Sequence, residues 1–192
     1  IESIKSNLAW QYWYQNSEIP GDDSILYVSV DTGVDYTHPD LLDNIWVNQG
    51  ELTENNFVQE RINSGEIAIS ENGYISARSI DTFISNHTFG DLNGDGVKNI
   101  KDAFTPNIWF CDGVDNDGNG KVDDLIGWDM GGYEGVGDNN PYPKEGLLNE
   151  DNGWHHGTHV AGVLCATTNN NRGMVATSYS GKVMSVKCAL DA

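Results

Sequence analysis

The run His156-Gly157-Thr158-His159-Val160-Ala161-Gly162 puts an imidazole at the point where an apolar helix over His156 to Ala166 begins. Gly157 lets a neighbouring backbone approach that start closely, and the small residues Ala161 and Gly162 let the helix pack tightly. Working outward, Lys182-Val183-Met184-Ser185-Val186-Lys187-Cys188 reads as a buried strand after the helix, across the polar turn Thr167 to Arg172. Upstream, after the turn signal Pro20-Gly21-Asp22-Asp23, Ile25-Leu26-Tyr27-Val28-Ser29-Val30 reads as another buried strand, ending at Asp31-Thr32-Gly33. Strand, helix, strand in this order predicts a right-handed parallel crossover. Open parallel sheets gather working groups at the carboxyl ends of their strands, which is where Asp31 falls. A carboxylate and an imidazole meeting there would suit an orienter and a general base, for which Asp31 and His156 are the candidates.

Around Asp31 the sequence continues Asp31-Thr32-Gly33-Val34-Asp35-Tyr36-Thr37-His38-Pro39-Asp40-Leu41. Together with the His156 run it closely resembles the subtilisin-like serine proteases, the subtilase family, whose triad runs Asp, His, Ser along the chain. The resemblance covers about residues 7–47 and 122–192. It implies an α/β, three-layer fold on a mostly parallel sheet, present as a partial domain, with Asp31 as orienter and His156 as base. It also implies secretion, and a protein or peptide substrate cleaved through an acyl-enzyme. His159 is, by the same resemblance, a buried structural histidine. A zinc reading of His155 and His159 at i, i+4 fails because the metalloprotease pattern requires glutamate where this chain has His156.

No serine stands in the family's nucleophile context, since Ser178 and Ser180 fall in a loop before a strand. Residues 1–192 therefore read as the N-terminal portion of one peptidase domain, inactive alone. The expected partners are the rest of that domain, carrying the serine and the oxyanion asparagine, and a propeptide. The alternative from another class is a noncatalytic pseudoprotease or a calcium-dependent binding scaffold.

Charge narrows the partners further. A formal net charge of -19 repels nucleic acid and anionic membrane surfaces, so neither is expected to bind. No apolar stretch approaches the roughly 20 residues that span a bilayer. Ile1-Glu2-Ser3-Ile4-Lys5 lacks the regions of a signal peptide and suggests a processed or trimmed start. Cys111, Cys165 and Cys188 permit one disulfide at most, and Cys165 and Cys188 read as buried thiols. Leu8, Trp10, Trp13 and Tyr14 would line one side of a short helix over a sheet edge, and an exposed apolar edge is expected after the strand Val183 to Cys188.

Between the two halves of the resemblance, about residues 48–121 read as an irregular insertion carrying calcium loops. Asp91, Asn93, Asp95, Asn99 and Asp102 occupy positions 1, 3, 5, 9 and 12 of an EF-hand-like loop, with Gly96 at 6 and the Val97 carbonyl at 7. The loop resembles the dockerin version, although Lys98 replaces the usual apolar anchor. In a second loop Asp115, Asp117 and Asn119 take positions 1, 3 and 5, with the Lys121 carbonyl at 7. Ile126 stands at its position 12, so Asp123, Asp124 or Asp112 would have to close it. A third calcium site, implied by the resemblance, joins Asp40 to the loop Thr167 to Asn171. Ordering roughly 90 polar residues costs on the order of 1 to 2 kcal/mol each, which the few apolar side chains cannot offset, so bound calcium is expected to supply part of the balance.

Overall fold

The computed structural model describes residues 5–144 and 153–191. In chain order the elements are α1 (Ser6–Gln15), β1 (Leu26–Asp31), α2 (Gln49–Thr53), α3 (Asn56–Ser64), α4 (Ala77–Asn86), β2 (Gly127–Tyr133), β3 (Val136–Asp138), α5 (His156–Cys165) and β4 (Lys182–Lys187). The sheet order is β1-β4-β2-β3, with β1 and β2 parallel to β4 and β3 antiparallel to β2. A mixed, mostly parallel sheet with helices is the α/β partial domain the sequence predicts. Lys187 is in register with Asp31 on one side and Asp129 on the other, so three strands deliver charged side chains to one edge. Gly127 permits this pairing: at φ +128° a Cβ there would lie 1.9 Å from the Ser185 carbonyl oxygen.

The predicted strands and helix are present, but β1 is not buried. Leu26, Val28 and Val30 are 41%, 48% and 64% exposed, whereas Ser29 on the opposite face is buried. Alternation puts the three apolar side chains on one face. Because α5 contacts β1 and β4 from the Asp31 side, that other face is left uncovered among the described residues. The open edge is also β1 rather than β4, which sits centrally. α1 leans on the loop before β4, where Trp10 and Tyr14 meet Tyr179 edge-on at 5.4 and 5.8 Å, instead of covering a sheet edge. Cys165 is buried as expected, but Cys188, just past the end of β4, is exposed; all three thiols are free. No helix among the described residues is long and apolar enough to cross a membrane. Residues 1–4, part of the stretch read for a signal peptide, lie outside the described residues.

The middle of the chain is more ordered than its composition suggests. Asn48, Asn55 and Ser76 cap α2, α3 and α4, their side chains accepting from the backbone N–H of Gly50, Val58 and Ser79. Leu52, Val58, Ile67, Ile80 and Ile84 are buried in a core continuous with Val34, Tyr36, Leu41 and Ile45. Phe57 stacks on Trp109 at 5.5 Å, with Phe83 and Phe110 edge-on to both or one of them. Each fully buried large apolar side chain contributes about 1.5 to 3 kcal/mol. Apolar burial thus carries much of the ordering cost that the sequence reading left to calcium.

Candidate active site

β1 ends with Asp31, and α5 begins with His156, 125 residues later. Both carboxylate oxygens of Asp31 lie 2.8 Å from His156 Nδ1. Thr32 holds the two segments together: its hydroxyl accepts from Gly157 N–H at 3.0 Å and donates to the Trp154 carbonyl at 2.9 Å. His155, the residue before α5, offers no side-chain cap, so Thr32, just past the end of β1, satisfies one of the open N–H groups of the helix start. Thr158 Oγ1 accepts from Asp35 N–H at 2.9 Å and adds a second tie. The Asp31 carboxylate also accepts from Thr32 N–H at 2.7 Å. Burial works to raise its pKa, but the hydrogen bonds from His156 and Thr32 outweigh burial and hold it below the ordinary value. That interaction stabilises the fold above the usual carboxylate range and is lost as pH falls through the depressed folded value.

The glycines beside the pair have steric reasons to be there. A Cβ on Gly157 would stand 2.2 Å from the Gly33 carbonyl oxygen and 3.0 Å from Asp31 Cβ. Gly157→Ala is therefore expected to push α5 off β1, costing about 1 to 3 kcal/mol as overpacking and lengthening the Asp31–His156 contact. A urea unfolding midpoint equal to that of the parent chain would refute it.

A family model described as the Subtilase family matches residues 25–192. The chain belongs to the subtilase family. An extracellular basic protease of Dichelobacter nodosus is 36% identical over 111 residues, 56% of this chain and 16% of that protein. Subtilisin-like protease 1 of Plasmodium falciparum is 29% identical over 162 residues, 84% of this chain and 13% of that protein. An extracellular protease of Xanthomonas campestris is 35% identical over 111 residues, again 56% of this chain and 16% of that protein. The chain thus spans between 13% and 16% of the length of these relatives.

His159 is exposed, not buried, and lines an apolar groove with His38, Leu41, Val163 and Met174 because nothing among the described residues packs on that side of α5. The hydroxyls of Ser178 and Ser180 donate to the carbonyls of Leu164 and Pro20, which fits their reading as structural serines.

A feature the sequence reading missed lies beside Asp31. Lys187 is 0% exposed and donates to Asp129 at 2.8 Å, Asp191 at 2.5 Å and the Ala189 carbonyl at 2.7 Å. Lys144 reaches Asp138 at 3.2 Å and Asp191 at 2.8 Å. Burial alone would raise the Asp191 pKa, but hydrogen bonds from Lys144 and Lys187 outweigh it and lower it. Asp129, Asp138 and Asp191 lie close enough together to hold a metal. Two ammonium groups, from Lys144 and Lys187, already pair with these three carboxylates, so this is an ion-pair network. The signal was a lysine inside an otherwise apolar strand pattern.

The acidic loops divide. In the first, Asp102 is buried and accepts from Leu92, Asn93 and Asn99 N–H at 2.7, 3.0 and 3.0 Å. Asn93 and Asp95 accept from Asp95 and Val97 N–H, and Asn99 accepts from Lys101 N–H, as turn-forming contacts. The carboxylates of Asp91, Asp95 and Asp102 do not converge on one point among the described residues. Lys98, at the anchor position, instead donates to the His87 and Thr88 carbonyls at the end of α4. In the second loop Asp115 and Asp117 do converge, and Glu51 of α2 joins them. Asp124 stands beside this group, held by the Asn48 and Asn119 amides at 2.7 and 3.1 Å. Asp123 turns away to accept from Gly113 N–H. Burial first, then the charge of Asp124, pushes the Glu51 carboxyl up to about 7. At the third site Asp40 does meet its loop, but both its oxygens accept protein donors, Asn170 Nδ2 at 2.6 Å and Met174 N–H at 2.9 Å.

Proposed function

We propose that this chain supplies the Asp–His half of the active site of a secreted, calcium-stabilised serine endopeptidase, with the serine and the oxyanion asparagine contributed by polypeptide outside these 192 residues. The observation that carries the reading is the Asp31–His156 Nδ1 contact at 2.8 Å, at the carboxyl end of a parallel strand in a subtilase chain. His156 Nε2 takes the serine hydroxyl proton as the oxygen attacks the peptide carbonyl, then returns it to the leaving amine, giving an acyl-enzyme that water hydrolyses. Asp31 fixes the tautomer with hydrogen on Nδ1 and stabilises the imidazolium. A base and its orienter without nucleophile or oxyanion donors perform no acyl transfer, so the chain alone is inactive. A fluorophosphonate probe should label a serine-bearing polypeptide that copurifies with this chain or extends it. Absence of any label in that assembly would leave a noncatalytic pseudoprotease. Secretion is supported by relatives named as extracellular.

Calcium fits the second loop by chemistry: its donors are hard oxygens, and Glu51 Oε1 is buried with no hydrogen-bond partner. Asp115, Asp117, Asn119, Asp124 and the Lys121 carbonyl would hold the ion; the first loop, whose carboxylates do not converge and whose Asp102 is taken up by backbone donors, does not fit one. A bound ion supplies positive charge that relieves carboxylate repulsion and ties the loop ends. Chelation is then expected to open the second loop before the sheet or the α2–α4 core. Trypsin should cut at Lys121 several times faster in EGTA, with cutting at Lys98 and Lys101 little changed, read by mass spectrometry. Equal cutting with and without chelator would count against the calcium reading.

A further inference from the structure

Glu51 stands out among buried polar groups outside the Asp–His pair. Its side chain is 1% exposed, it comes from a different element than the acidic loop, and Oε1 meets no donor. Oε2 accepts only from Asp123 N–H, at 3.2 Å. An ionised carboxylate buried this way costs several kcal/mol unless a cation or more donors reach it. Instead, an oxygen of Glu51 lies within 4.8 Å of oxygens of Asp115 and Asp117. Three acids gathered around one point, one of them buried, repel each other in the absence of a cation.

The approach is built in, not incidental. Asn48 caps α2 through its oxygen and uses its amide to hold Asp117 and Asp124 at 2.9 and 2.7 Å. Gly50 leaves room for this, since a Cβ there would lie 2.5 Å from Asp117 Cβ. Asn116 Nδ2 donates to the Glu51 carbonyl at 3.1 Å, pinning the loop to the same turn of helix.

We infer that Glu51 is a direct ligand of the divalent cation held by the loop Asp115 to Asp124, supplying the carboxylate that Ile126 at the twelfth position cannot. The inference rests on the calcium reading of that loop. The site is then shared by two segments far apart in sequence, and the cation fastens α2 to the loop preceding β2. Its donor set of carboxylates, an amide oxygen and a backbone carbonyl suits calcium over magnesium, which demands a tight octahedron and keeps its waters.

The test is calorimetric titration of calcium into the chain and its Glu51→Gln and Asp117→Asn variants, with thermal unfolding in EGTA and in calcium. Both variants should weaken the same site about tenfold or more, because ligand charge sets affinity. In EGTA, Glu51→Gln should unfold at or above the parent temperature, since it removes an uncompensated buried charge, which also shows that the variant folds. The calcium-induced rise in unfolding temperature should shrink. Parent-like affinity in Glu51→Gln beside a loss in Asp117→Asn would overturn the Glu51 assignment and leave the calcium loop standing. Calcium binding indifferent to Asp117→Asn would overturn both.

Discussion

Replacing Asp31 with asparagine in the assembled peptidase is expected to lower kcat/KM by about 10⁴-fold, with most of the loss in kcat, as when a triad carboxylate is replaced by its amide in other serine peptidases. The size follows from what the carboxylate does. Both its oxygens face His156 Nδ1, so the ring hydrogen is held there and Nε2 is left as a base. An amide of the same shape keeps the Thr32 N–H bond through its oxygen. Its NH₂ group then faces the imidazole and donates to Nδ1, moving the hydrogen to Nε2, which can no longer accept the serine proton. Substrate contacts are untouched, so KM should change little. Peptide-hydrolysis kinetics and the rate of fluorophosphonate labelling should fall together. A loss under about 100-fold would mean that Asp31 does not set the tautomer, and the catalytic reading of the pair would fall with it.

The part of the fold that carries chemistry was the legible part. Gly157 is needed because the start of α5 meets the Gly33 backbone beside the pair, and the residues that make that geometry are the ones proposed to carry the reaction, so local sequence points to both. The parallel pairing of β1 with β4 followed from the strand–helix–strand order. Burial of β1 could not be read, because Leu26, Val28 and Val30 report only that the face is apolar, and no described residue covers it. The helices of the middle region were hidden by their own caps. Asn48, Asn55 and Ser76 look like loop composition, and helices of five to ten residues are too short for periodicity to overrule that impression. Glu51 was invisible for a different reason: loop spacing finds ligands within the loop, and a ligand from a distant helix leaves no pattern. The first loop shows the converse, since ideal spacing did not bring Asp91, Asp95 and Asp102 together in the fold.

Lys187→Met should produce the largest loss of stability, about 3 to 5 kcal/mol in urea unfolding. Methionine fills similar volume, so the change is chiefly electrostatic. Lys187 and Asp129 are both 0% exposed, and removing the ammonium leaves Asp129 buried with Lys144 no nearer than 3.6 Å. The two N–H donors of Gly131 and Gly132 continue to hold one oxygen of Asp129, but they carry no full charge. Asp191 loses its 2.5 Å partner as well. Removing the acid at the same time should recover much of the loss, because an absent pair costs less than a broken one: Asp129→Asn with Lys187→Met should be more stable than Lys187→Met alone. Lys144→Met, at a side chain 33% exposed, should cost only about 1 kcal/mol. The register makes the consequence functional too. Asp31, Lys187 and Asp129 lie side by side across three strands, so loosening the central strand shifts the carboxylate that orients His156. Activity of the assembled peptidase should therefore fall with stability in Lys187→Met and return in the double variant. A single-variant loss below 1 kcal/mol would show that water or Lys144 reaches Asp129 and that the network does not hold this edge of the sheet.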